Sequence, residues 1–108
     1  MALVSNFSNR LRLNIVENSY LINNTALNNN YGFRLSSSSL NNITSNSISN
    51  SNIYGFFLQS SSNNNSIANN SLNDNAHGFI VGPFSNYNLI SQNIVSNSNE
   101  AFEILNSR

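Results

Sequence analysis

The chain of 108 residues has no cysteine, lysine or tryptophan, one proline and one histidine, and only 7% of its residues are charged. Without cysteine there are no disulfides, no thiolate chemistry and no Cys-ligated metal, and the redox compartment stays open. Four arginines, no basic run and zero net charge leave no electrostatic footprint for a nucleic acid, so no such partner is expected. No apolar run approaches the roughly 18–20 residues that a membrane-spanning helix needs, so no span is expected. The opening residues, Met1 to Arg10, carry neither a basic n-region nor an apolar h-region, so no signal peptide is visible.

What the chain has is amide and hydroxyl: 27 Asn and 21 Ser among 108 residues. So polar a composition can mean disorder, because too little apolar surface is available to offset the entropy of ordering. Disordered chains, however, are usually charged and lack periodic aromatics. Here seven Phe and four Tyr recur at spaced positions, which points to an ordered repeat. The length fits one domain, residues 1–108.

Tyr31-Gly32-Phe33-Arg34-Leu35 returns as Tyr54 to Leu58, His77 to Val81 and Glu100 to Ile104, each 23 residues on. Arg10-Leu11-Arg12-Leu13 is a degenerate earlier copy. A second element is a pair of apolar residues five apart with an Asn between them: Ile43 and Ile48, Ile67 and Leu72, Ile90 and Val95. In the first coil Ile22 pairs with Leu27, and Thr25 stands where the Asn would be. The interval from this element to the next Tyr-like position varies between four and six residues, which marks a surface turn.

Each coil is too short for a βαβ unit, and no i, i+3, i+4 periodicity is present. Alternation turns Phe33 and Leu35 inward and Arg34 outward. The expected fold is all-β: a right-handed, single-stranded parallel β-helix of about 4.5 coils of 21–24 residues. Strand copies lie near residues 10–13, 32–35, 55–58, 78–81 and 101–104. Rungs stack about 4.8 Å apart and wrap the sheet around its own core. Asn46, Asn70 and Asn93 are expected to form one amide ladder, and Asn41, Asn65 and Asn88 another, at corners where Asn tolerates a left-handed backbone. The runs Ser36 to Ser39 and Ser60 to Ser62 fill the longer turn, and Gly32, Gly55 and Gly78 open the strand where a side chain would crowd it. The first coil starts mid-repeat and neither end carries a cap. Solenoids need caps, so the chain is expected to belong to a longer solenoid or to associate end to end.

The pattern resembles the parallel β-helix repeats of the pectin-lyase-like superfold. It is most similar to the Asn-rich repeats of the NosD-like family of nitrous-oxide-reductase accessory, periplasmic copper-binding proteins. There the run Asn-Asn-x-Ile-x-x-Asn-x-Ile-x-x-Asn-x-Tyr-Gly-Ile-x-Leu recurs. The resemblance extends from Leu11 to Ile104. Asn41-Asn42-Ile43 through Leu58 is the cleanest copy, with Phe56 where the family often has Ile. It implies a periplasmic, cell-surface or extracellular location. It does not settle function, because such coils serve pectin-lyase-like enzymes, surface proteins and carbohydrate-binding modules alike.

The chemistry on these coils is sparse. Glycoside hydrolysis needs two carboxyls flanking the scissile bond, and the chain has only Glu17, Asp74, Glu100 and Glu103. Glu100 and Glu103 are near in sequence and could flank a groove, but they read better as solvated charges on the terminal coil, while Asp74 extends a column of Asn. His77 stacks one rung from Glu100, as a polar contact or an acid–base or metal pair. One imidazole without a thiolate does not supply the ligands a copper site wants, so no catalytic residue, metal site or cofactor is expected. The outward column Arg12, Arg34, Phe57, Ile80, Glu103 holds the least bland feature, two adjacent apolar side chains where polar ones belong. Phe57 and Ile80, flanked by Arg34, are therefore the candidate binding residues, for a sugar ring of a polysaccharide or for a surface protein. The expected function is a non-catalytic structural or binding module. The alternatives are a piece of a pectin-lyase-like carbohydrate-active enzyme or of a NosD-like metalloenzyme maturation protein.

Overall fold

The computed structural model describes residues 3–5, 11–14 and 16–105. Among them there is no helix. The strands form three wholly parallel sheets, and the chain visits each sheet in turn, making a β-solenoid of about four turns. The first sheet contains Leu3–Ser5, Tyr20–Ile22, Asn42–Thr44, Ser66–Ala68 and Leu89–Ser91. The second contains Thr25–Leu27, Ser47–Ser49, Ser71–Asn73 and Ile94–Ser96. The third contains Leu11–Asn14, Tyr31–Ser36, Tyr54–Gln59, His77–Val81 and Glu100–Ile104. Leu11, Arg12 and Leu13 pair with Phe33, Arg34 and Leu35, while Arg10 lies outside the described residues.

Stacking in register turns a periodic sequence into columns. Leu21, Ile43 and Ile67 form one inner column; Ala26, Ile48 and Leu72 the next; Phe33, Phe56 and Phe79 the third; Leu35, Leu58 and Val81 the fourth, all buried. The Phe rings follow one another at 5.7 Å and 5.3 Å between centroids. In the first coil the inward pair is Leu21 and Ala26 rather than Ile22 and Leu27, one residue earlier than the sequence reading placed it. Leu27 is 49% exposed.

The corners explain both that shift and the abundance of Asn. At each corner one residue adopts a left-handed backbone, and the next turns a small polar side chain inward. Asn23, Ser45, Asn69 and Gln92 have positive φ, and each precedes a residue of the column Asn24, Asn46, Asn70, Asn93. The same step precedes Asn41, Asn65 and Asn88 at another corner, and Ser38, Ser62 and Ser85 at a third. The sequence reading gave one Asn both duties, whereas the fold divides them between neighbours. Asn46 shows the inner duty: its Oδ1 accepts from the backbone N–H of Asn24 at 2.8 Å and from Asn24 Nδ2 at 3.0 Å. Its own Nδ2 donates to Leu21 O on one side, at 3.0 Å, and to Asn70 Oδ1 on the other, at 2.9 Å. A buried amide with both ends satisfied holds one rung to the next without the penalty of an orphaned polar group. Asn24 is the residue that continues this column into the first coil, so hydrogen bonding sets the register there and Leu27 is left outside.

The serines follow the same logic. Ser38 Oγ accepts from Val16 N at 3.1 Å and Ser62 Oγ from Ser38 N at 3.1 Å, so the Ser-rich turn is bonded across rungs and not merely filled. The glycines are a matter of room. None has positive φ, but a Cβ on Gly32 would collide with the Ile48 side chain and lie 2.6 Å from Gly55 O. Gly32→Ala should therefore cost about 1–3 kcal/mol, the usual range for overpacking, read as a lower urea midpoint. An unchanged midpoint would contradict the close rung contact.

Candidate functional site

The long strands of the third sheet do not alternate throughout. In Tyr31–Ser36 and in Tyr54–Gln59, Gly and Phe are both buried in succession, and the residues on either side of that pair are half-buried. Side chains three apart, such as Tyr31 and Arg34, therefore share the outer face, where strict period-two alternation would separate them. The face carries two side-by-side columns: Tyr31, Tyr54, His77, Glu100, and Arg34, Phe57, Ile80, Glu103.

Its upper half is aromatic. Phe57 stacks on Tyr54 at 5.1 Å between centroids and on Tyr31 at 6.0 Å, and Tyr31 and Tyr54 are 5.7 Å apart. Arg34 lies over the Tyr31 ring, with Cζ 5.1 Å from its centroid, and beside Phe57 at 5.9 Å. Cation–π contacts of this kind contribute about 0.5–1 kcal/mol at accessible sites. The Gln59 amide, with its oxygen turned toward the guanidinium, accepts from Arg34 Nη2 at 2.9 Å and Nε at 3.2 Å. Arg34 is thus fixed in place, with its planar group set among rings. Of the residues singled out from sequence, Phe57 and Arg34 meet here. Ile80 does not join them as a contact surface, since it is 1% exposed. It sits between the larger side chains Phe57 and Glu103 in its column, and rung spacing leaves it no access. Tyr31, Tyr54 and Gln59 were missed. The signal for the two tyrosines was the Gly that follows each of them, which breaks the alternation.

The lower half of the face is ionisable. His77 Nδ1 lies 3.7 Å from Glu100 Oε2, has almost no accessible surface and has no hydrogen-bond partner among the described residues. His77, Glu100 and Glu103 each bring one potential donor atom into a group in which all are within 4.8 Å of one another. Glu103 reaches it by the same break in alternation that joins Phe57 to the tyrosines. The ring of His77 continues the aromatic column, 5.4 Å from Tyr54.

The family model for the periplasmic copper-binding protein NosD matches residues 2–108, so the chain belongs to that family. No curated protein and no solved structure matches it at a significant level. For a copper ion, the donor chemistry fits in one direction. An imidazole nitrogen with two carboxylates suits a divalent first-row ion, and the unsatisfied Nδ1 is a ready donor. No thiolate exists to suit a monovalent one. If the ion binds this chain, His77, Glu100 and Glu103 are the described residues that would hold it.

Proposed function

We propose that this member of the NosD family is a non-catalytic binding module of the periplasm, whose flat third-sheet face receives a glycan. The observation that carries the reading is the fixed set of Tyr31, Tyr54, Phe57 and Arg34. Sugar rings offer apolar C–H faces edged by hydroxyls, so a flat aromatic surface beside a held hydrogen-bond donor is complementary to them. The solenoid supplies rigidity, because the face needs no ordering when a ligand arrives. Support for a non-catalytic role comes from the arrangement of acids. Glu100 and Glu103 gather around one imidazole, whereas glycosidases set two carboxyls on opposite sides of the bond they cleave.

Phe57→Ala should reduce retention of the responding polysaccharide on a glycan array at least about tenfold, roughly 1.4 kcal/mol, with the far-ultraviolet circular dichroism unchanged. A wild-type protein that retains no glycan, or a variant that binds as well as wild type, would defeat the reading. A second reading, an accessory part in metalloenzyme maturation, is favoured by the family and by the His77 group.

A further inference from the structure

The strands Leu89–Ser91, Ile94–Ser96 and Glu100–Ile104 are the last of their three sheets, and each has one side unpaired among the described residues. Phe102 and Ile104 continue the inner columns of Phe79 and Val81, which are buried, yet they are themselves 43% and 56% exposed. Phe79, Ile90, Val95 and Phe102 line an open hollow of about 380 Å³. The rim is apolar as well, since Leu89 and Ile94 stand where Ser66 and Ser71 stand one rung earlier. An open sheet edge beside exposed core residues is a template for another strand. We propose that this end receives the opposite end of a second copy of the chain, head to tail, so that the solenoid runs on from one molecule into the next. The inference does not rest on glycan binding, because Tyr31, Tyr54 and Phe57 lie on inner strands of the third sheet.

Register supports a second copy as the occupant. At the other end of the solenoid, Leu3–Ser5 is the edge strand of the first sheet and Leu11–Asn14 that of the third. Each residue in a column keeps its place from rung to rung, so one further rung in the same register has only one alignment. Leu3, Val4 and Ser5 of the second copy would face Leu89, Ile90 and Ser91. Leu11, Arg12 and Leu13 would face Phe102, Glu103 and Ile104. The residue types agree at all six positions. The first sheet brings together two nearly identical triplets, and the third sets apolar residues in line at its two inner columns. The outer column sets opposite charges side by side.

Charge decides the polarity of the contact. Two tails meeting would bring Glu103 toward Glu103, and two heads Arg12 toward Arg12, each a repulsion. Head-to-tail stacking instead gives Glu103 an arginine. Among the described residues Glu103 forms no ion pair, and the neighbouring one joins His77 to Glu100. A head-to-tail contact uses different surfaces on the two molecules, so it leaves a free end on each and builds open chains rather than closed dimers.

The test is sedimentation velocity on the full chain from low to high micromolar concentration, with a metal chelator present to keep Glu103 free of ions. The mean mass should rise continuously with concentration and pass beyond that of a dimer. Glu103→Arg alone, and Arg12→Glu alone, should each move the association to concentrations at least about tenfold higher. Mixing the two variants, or placing both substitutions in one chain, should restore it. Urea midpoints close to wild type, measured on dilute samples, will show the single variants folded. A wild-type chain that stays monomeric throughout would mean that something other than a second copy covers this end. A mass that stops at the dimer would point to like ends meeting. Either result would overturn the proposal, as would single charge reversals without effect or a combination that fails to restore association.

Discussion

Phe56→Ala is expected to lower the unfolding free energy by about 3–5 kcal/mol, the range for removing a fully buried Phe. The residue is 0% exposed and has a Phe ring on either side, at 5.7 Å toward Phe33 and 5.3 Å toward Phe79. Neighbouring rungs cannot close over the hole, since their spacing is held by the backbone bonds of three sheets. Domains commonly have only about 5–15 kcal/mol in hand, so the variant should unfold at a much lower urea concentration. Phe102→Ala is the control. That ring is 43% exposed and meets only Phe79 in its column, at 5.8 Å. Its removal should cost distinctly less. Equal losses at the two positions would mean that the Phe column is not the centre of the core.

Asn70→Ala should rank close behind, at about 3 kcal/mol or more, because one substitution strands several buried groups that each cost about 1–3 kcal/mol. Asn70 Oδ1 accepts from Asn46 N and Asn46 Nδ2, both at 2.9 Å. Asn70 Nδ2 donates to Ile43 O at 3.1 Å and to Asn93 Oδ1 at 3.0 Å. The adjacent Asn69 is exposed and has φ of 56°. Asn69→Ala should cost about 1–2 kcal/mol, from the left-handed backbone alone, and Asn69→Gly almost nothing. Chemical denaturation of the three variants separates the two duties of the corner. A similar cost for Asn69→Ala and Asn70→Ala would erase the distinction.

These corners also show why the fold was easier to read than the face. Three coils keep their aromatic, apolar and Asn positions at nearly constant spacing, and a parallel stack preserves spacing as contact. Thus Phe33, Phe56 and Phe79 could be aligned before any coordinates. The first coil slipped by one residue because Leu21-Ile22 and Ala26-Leu27 are each ambiguous by hydrophobicity. A buried amide bond at Asn24 outranks the size of Leu27. The outer face failed on parity. Simple alternation gave Arg34, Phe57 and Ile80 one common outward exposure, but it could not place Tyr31 beside Phe57 or Glu103 beside His77. Those meetings depend on Gly and Phe turning inward together, which no period of two encodes. Ile80 was misjudged for a further reason: exposure depends on the bulk of the neighbouring rungs, and Phe57 and Glu103 close it off.

The bonds between side chains within the amide columns reach 22 to 24 positions along the chain, and those from the amides to backbone carbonyls 25 to 27. A deletion or duplication of one whole turn would therefore rejoin equivalent partners, Asn to Asn and Phe to Phe, with every bond remade. Loss of three residues from a strand would instead misalign every column beyond it. The tolerated unit of change in such a gene is the turn, so relatives should differ by whole multiples of it in length, while small insertions collect at the corners.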